Sequence, residues 1–307
     1  MADIVITEFM DESAIASLKS KWRVIYDPEL HKTPDTLQRE LVSARGLIIR
    51  NQTQVTAAML EKTPHLTTIG RLGVGLDNID MDACKQHGIT VIPAIGANAK
   101  AVSEYVISTA LILMRKAFLS TNEVLAGRWP RAQLMGTEIN GKTLGLIGFG
   151  SIARQVSRDA TVLGMKTIAF DPFVDDSDEA WEYTEKDTFN NILRRADILS
   201  LHVPLTKGTR HLIAAEALTL MKPSAIIINT SRGEIVDETA LVAALKSDRL
   251  YGAALDVFET EPLTAEAGRK FEGLENLILT PHIAGVTEEA NVRISKMIAD
   301  KITQALA

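Results

Sequence analysis

Short apolar runs recur along the first third of the chain: DIVITEF, WRVIYDP, GLIIRN, LTTIGRLG and ITVIPA, separated by stretches of about helical length. They are rich in Val and Ile and too short for helices, so they read as strands. Their apolar character is nearly continuous, which marks strands buried on both faces, and strand–helix alternation of this kind implies a parallel sheet covered by helices. Residues 99–119 (AKAVSEYVISTALILMRKAFL) break the pattern. They contain neither Gly nor Pro and are apolar around much of their circumference, which predicts a long, largely buried helix leading into the next domain. After AGRWPRAQLMG the alternation restarts with KTLGLIG, KTIAFDP, DILSLHV, AIIINTS, YGAALDV and ENLILTP, predicting a second parallel sheet. From Thr287 to Ala307 apolar residues return at helical spacing. A lone closing helix is often returned to the first domain, so the expected boundary is discontinuous. The fold class expected is α/β, with two doubly wound parallel-sheet domains.

Length agrees with two domains, since 307 residues exceed what one hydrophobic core usually supports. Hydrophobic residues make up 46% and charged residues 23%, and no apolar run approaches ~18 residues, so no membrane span is expected. The N-terminal MADIVITEF has no basic region followed by an apolar stretch and does not read as a signal peptide. One cysteine, Cys84, excludes an intrachain disulfide and leaves too few thiols for a zinc–thiolate cluster. A cytoplasmic protein without a metal site is expected. The net charge of −6, with no block of like charge, makes nucleic acid a poor partner.

Two nucleotide-binding patterns overlap in GTEINGKTLGLIGFGSIA. Gly136 to Thr143 fits the phosphate-loop expression G-x-x-x-x-G-K-[ST], and Gly148, Gly150 and Ala153 fit G-x-G-x-x-[GA]. A phosphate loop must open a helix after its Lys-Ser/Thr. Here Lys142 and Thr143 begin a strand instead, so Asn140-Gly141 reads as a turn entering it. The second pattern has a strand before it and a helical stretch after it. Gly148 makes the tight turn, Gly150 lets the backbone approach a pyrophosphate, and Ala153 permits close helix–strand packing. Asp171 ends the next strand 18 residues after Ala153, where an acid accepts hydrogen bonds from ribose hydroxyls. A carboxylate there repels the 2′-phosphate of NADP, and Pro172 and Phe173 supply no cation to hold one. NAD is therefore expected over NADP, and a measured preference for NADPH would contradict this.

Three later segments deliver ionisable residues where strands of the second sheet end, the edge that lines the ligand crevice of an open α/β sheet. NTSRGEIVDE carries Arg232, ALDVFETEP carries Glu261 and TPHIAG carries His282. Each alone is ordinary: a solvated arginine, a surface acid, a structural histidine. Together with GFGSIA and HVPLT, in this order, they resemble the D-isomer-specific 2-hydroxyacid dehydrogenase family over essentially the whole chain. LGVGLDNID and NGKTLGLIG look most like its phosphoglycerate dehydrogenase branch.

The resemblance implies a flavodoxin-like substrate domain from 1–98 and 286–307, a Rossmann NAD-binding domain from 99–285, and a homodimer formed through the latter. It implies Arg232 as the clamp on the substrate carboxylate, His282 as acid–base and Glu261 as its partner. Glutamate at that place favours a hydroxy acid over formate, which has no hydroxyl proton to remove. Cofactor contacts fall on Gly148, Phe149, Gly150, Ser151, Ile152 and Asp171, with His202 and Pro204 near the adenosine, Thr230 near the nicotinamide ribose and Asp256 near the carboxamide. Substrate contacts fall on the backbone of Val74 and Gly75, on Asn98, and on Arg50 and Asn51 for a distal anion. Arg131 aligns with a basic residue that reaches a neighbouring subunit's site. Two arginines suit a second anion, phosphate or sulfonate, both offering three oxygens to charged donors. Asn51, where Ser is common, and Ala94-Ile95-Gly96-Ala97 depart from the phosphoglycerate pattern. The alternatives are a hydroxypyruvate or glyoxylate reductase and an NAD(H)-sensing binding protein without turnover.

Overall fold

The computed structural model of the chain describes residues 2–117 and 120–307. Two compact units emerge, Met1–Asn98 with Val286–Ala307, and Ala99–Gly285.

The first unit is a parallel sheet of β1 (Ile4–Ile6), β2 (Val24–Tyr26), β3 (Gly46–Ile49), β4 (Thr68–Arg71) and β5 (Thr90–Pro93). Its order is β2-β1-β3-β4-β5. The chain thus leaves β1 in two directions, and the crevice of such a sheet opens at the carboxyl ends of β1 and β3. β1 and β3 are buried throughout, as their unbroken apolar runs require. The closing helix, Glu288–Leu306, begins at Thr287, whose side chain accepts from the Ala290 amide at 3.1 Å. It turns Ile294, Ile298 and Ile302 inward at four-residue spacing and packs on β4 and on helix Glu12–Lys19.

The second unit carries β6 (Thr143–Ile147), β7 (Lys166–Phe170), β8 (Glu185–Lys186), β9 (Ile198–Leu201), β10 (Ile226–Asn229), β11 (Gly252–Leu255) and β12 (Leu277–Leu279). All run parallel in the order β12-β11-β10-β9-β6-β7-β8, which reverses between β6 and β9. Every strand expected from an apolar run is present. β8 was not expected, because its two residues are polar and exposed at the sheet edge. Helix Ala99–Arg115 buries Val102, Val106, Ala110 and Leu113 and packs on helix Ser151–Val162. It ends at Arg115, before the expected end; Phe118 and Leu119, where that expectation ran out, lie outside the described residues, and a short helix, Ser120–Leu125, follows. Among the described residues no helix is long and apolar enough to cross a membrane.

Candidate active site

Lys142 and Thr143 lead into β6, so the phosphate-loop pattern has no helix to serve. The chain leaves β6 at Gly148 with φ +87°, and a Cβ there would stand 2.6 Å from the His202 carbonyl oxygen. Only glycine fits both demands. Gly150, which caps helix Ser151–Val162, is different: its φ of −78° suits any residue, and among the described residues nothing lies within 4 Å of where its Cβ would be, so no contact among them requires a glycine here. Its absent side chain leaves open space over the unpaired amides of the helix's first turn, as a pyrophosphate needs. Ala153 is fully buried, Ile152 half-buried and Ser151 exposed.

Asp171 braces this turn: Oδ2 accepts from the Phe149 amide at 2.8 Å and Oδ1 from the Phe173 amide at 2.9 Å. Each oxygen keeps a lone pair for a ribose hydroxyl. The Thr230 hydroxyl is buried with no hydrogen-bond partner among the described residues, and a ligand oxygen or nitrogen would satisfy it. These features fit a dinucleotide. The nearest cation on the helix, Arg154, is committed to the Phe149 carbonyl at 3.0 Å and to both oxygens of Asp178. His202 lies beside Ser200 (Nε2 to Oγ 2.9 Å), and burial pushes its pKa down to about 3, so it is neutral at physiological pH. Pro204 is exposed, and its carbonyl accepts from the Thr209 hydroxyl at 2.6 Å.

His282 and Glu261 meet: Nδ1 lies 2.7 Å from Oε2. The other carboxylate oxygen accepts from the Phe258 amide at 3.0 Å. Burial pushes the Glu261 carboxyl up, but the hydrogen bonds from His282 and Phe258 and the charges of His282 and Arg232 outweigh it and hold the pKa below 4.5. Arg232 is thus near enough for its charge to act on the pair. The His282 side chain is 51% exposed, so with Nδ1 engaged its Nε2 is the nitrogen available to a ligand.

The loops carrying these groups are tightly built. His282 has φ +55°, a left-handed conformation costing a non-glycine residue about 1 kcal/mol. Asp256 imposes it. Its carbonyl accepts from the His282 amide at 2.8 Å, and its buried carboxylate accepts from the amides of Ile283 and Ala284, each at 2.8 Å, and from the Thr280 hydroxyl at 2.6 Å. The Tyr105 hydroxyl donates to Thr280 at 2.6 Å; burial, with the charge of Asp256, pushes its pKa up to about 12, so it stays a donor. Asp256 therefore anchors the histidine loop, keeping lone-pair capacity on Oδ2. Asn229 does the same for Arg232, accepting from the Ser231 amide at 3.1 Å and donating to the Arg232 carbonyl at 2.9 Å. A Cβ on Gly233 would fall 1.8 Å from the Phe258 carbonyl carbon, so the Arg232 loop rests directly on the backbone that leads to Glu261.

In the first unit, Arg50 and Asn51 follow β3. The half-buried Arg50 guanidinium donates to Asn291 Oδ1 at 2.6 Å and has no ion pair with a carboxylate among the described residues. Asn51 is exposed. The amides of Val74 and Gly75, after β4, have no acceptor among the described residues, and the buried side-chain oxygen of Asn98 has no donor there. Arg131 is exposed. Sequence reasoning missed Arg71, whose guanidinium curls over Gly73 beside the Val74–Gly75 turn and donates to the Leu72 carbonyl at 3.2 Å. It missed Tyr105 and the anchoring work of Asp256 as well, because these act through contacts distant in sequence, and it missed Asn229, whose bonds to Ser231 and Arg232 are local.

Residues 107–284 match the NAD binding domain of the D-isomer specific 2-hydroxyacid dehydrogenases. Over the whole chain, 52% of 307 residues are identical to an (S)-sulfolactate dehydrogenase of Chromohalobacter salexigens, covering 99% of that protein. The chain belongs to the D-isomer-specific 2-hydroxyacid dehydrogenase family. It is an NAD-dependent oxidoreductase of 2-hydroxy acids. A D-3-phosphoglycerate dehydrogenase of Methanocaldococcus jannaschii is 38% identical over 307 residues, and there the chain spans 58% of the relative's length. Among structures, the D-lactate dehydrogenase of Aquifex aeolicus complexed with NAD and lactic acid superposes with a TM-score of 0.84 at 30% identity, covering 98% of this chain and 95% of that one. The dehydrogenase fold expected from the motifs is present in both units.

Proposed function

We propose that the chain interconverts a 2-oxo acid bearing a second anionic group and its 2-hydroxy acid, with a sulfonated three-carbon acid of the sulfolactate type as substrate. The observation that carries the reaction is the 2.7 Å contact between His282 Nδ1 and Glu261 Oε2. In the reducing direction protonated His282 donates from Nε2 to the carbonyl oxygen, and in oxidation neutral His282 takes the hydroxyl proton. Glu261 fixes the ring and stabilises its charged form. Arg232 holds the substrate carboxylate with its planar fork of donors, a geometry Lys lacks. Gly148, Gly150, Asp171 and Thr230 would hold the dinucleotide, and the chemistry it would supply when bound is hydride for the carbonyl carbon.

Two things support the second anion: the Arg50 guanidinium, half-buried and making no ion pair with a carboxylate among the described residues, and the sulfonated substrate in the name of the 52%-identical relative. The amides of Val74 and Gly75 are further donors for the substrate's carboxylate, and Asn98 orients it. We assign the first unit as the substrate domain and the second as the NAD-binding domain. A homodimer through the second unit would cover the exposed Leu125, Trp129 and Met135 and give Arg131 a site to serve. The buried thiol of Cys84 suits a reducing cytoplasm.

A substrate panel tests the reading. NADH oxidation is followed with sulfopyruvate, 3-phosphohydroxypyruvate, hydroxypyruvate, glyoxylate and pyruvate, and sulfopyruvate should give the highest kcat/KM. Equal or better turnover of the monoanionic acids would overturn the second-anion assignment, and tight NADH binding with no turnover on any acid would overturn the reaction.

A further inference from the structure

The proton pair and the cofactor turn leave one acid unexplained. Glu8 is buried at the end of β1, beside β3, where the first sheet reverses its strand order. Four consecutive backbone amides after β3 converge on it. Oε1 accepts from Arg50 at 2.9 Å and Thr53 at 3.0 Å, and Oε2 from Asn51 at 3.1 Å and Gln52 at 3.0 Å. The Thr53 hydroxyl adds a fifth bond to Oε1 at 2.8 Å. Asn78 closes the other side of the loop, donating to the carbonyls of Arg50 at 3.2 Å and Thr53 at 2.7 Å. Burial pushes the Glu8 carboxyl up, but the bonds from Thr53, Gln52 and Arg50 prevail and hold it below 4.5, so it is charged at neutral pH.

A buried acid beneath a loop assigned here to an anion is a paradox unless its charge is spent elsewhere. Here it is spent on backbone. Run-of-chain amides turned toward one point form an anion nest, and Glu8 fills that nest from within the protein. Its bond to Arg50 goes to the main chain, and the guanidinium turns instead to the neutral Asn291. Had the carboxylate paired with the guanidinium, the cation would be lost to a substrate.

We propose that Glu8 is a positioning residue for substrate selection: it draws in the amides of residues 50–53 so that the Arg50 and Asn51 side chains face the distal anion, and it makes no ion pair with the guanidinium, which stays available to that anion. This rests on the reading that the substrate carries a second anion. Gln cannot replace Glu8, because its NH2 group faces amides that need an acceptor.

The test compares wild type, E8Q and T53V with sulfopyruvate and glyoxylate, alongside NADH affinity and circular dichroism. E8Q should raise KM for sulfopyruvate by about 10- to 100-fold, the scale of a site displaced by an ångström. Its sulfopyruvate kcat, its glyoxylate kcat/KM and its NADH affinity should stay within about threefold of wild type. T53V removes the hydroxyl donor to Glu8, together with the 2.7 Å contact between the Thr53 and Thr7 hydroxyls, and should shift the selectivity ratio the same way, by about two- to fivefold. A folded E8Q with wild-type selectivity, an equal loss on both substrates, or tighter sulfopyruvate binding overturns the role of Glu8; if E8Q fails to fold, unchanged selectivity in T53V does so. Wild-type enzyme with no preference for sulfopyruvate over glyoxylate overturns the substrate reading and this inference with it, whereas a wild-type preference kept in both variants removes Glu8 alone.

Discussion

Two glutamates, one in each unit, show how the same side chain is put to opposite uses. Glu8 is buried and saturated by five hydrogen bonds, four of them from backbone. Glu261 is about a third exposed and binds one backbone amide and one imidazole. Both carboxyls titrate below 4.5, and in both burial works against that. The difference lies in the partner. Amides carry no exchangeable charge, so Glu8 is a fixed anchor; an imidazole gains and loses a proton, so Glu261 is coupled to an event outside the protein. A carboxylate's role follows from whether its partners can change state.

The sharpest way to break this contrast starts at the imidazole. His282→Ala should lower turnover by roughly 10²–10⁴ while leaving NADH binding nearly intact; near-normal turnover would move the proton to another group. Next, Glu8→Ala strands four backbone amides, one of them buried and three part-buried, and should destabilise the protein by about 3 kcal/mol in denaturant unfolding. Glu261→Ala, at a half-open pair, should cost under about 1 kcal/mol of stability and act on turnover instead. Equal stability losses in the two variants would erase the distinction. Acid should separate them further. Because the folded-state pKa of Glu8 lies below its ordinary value, its contribution is complete above about pH 4.5 and disappears as pH falls through the depressed value. The stability gap between wild type and E8Q should therefore be flat at neutral pH and narrow only in acid; a gap that closed near pH 7 would rule this out. The smallest effect is expected for Tyr105→Phe, which removes the buried donor to Thr280 and should cost about 1 kcal/mol of stability.

How much of this was legible beforehand depends on how far each signal reaches along the chain. The parallel strands could be read because burial on both faces writes itself into four or five consecutive residues, as in GLIIRN or AIIINTS. β8 could not, since Glu185 and Lys186 pair only by backbone at an exposed edge. Glycine roles divided in the same way. The G-x-G spacing marked Gly148, but only coordinates show that it is His202 that forbids a side chain there, and that Gly150 is forbidden nothing by the protein itself. Arg232, Glu261 and His282 stood out through their motifs. Glu8 was one acid just beyond the N-terminal strand, and its partners begin 42 residues later. Nothing local distinguishes such a residue from a solvated one; its meaning is created by the pairing of β1 with β3.

Gly233 closes a route that evolution usually keeps open. Where side chains press together, an enlarged residue on one side can be accommodated by a trimmed one opposite. Here the opposing surface is the peptide of Phe258 and Glu259, which every amino acid possesses in identical form. No compensating substitution exists across that contact, so drift at position 233 is barred whatever changes elsewhere.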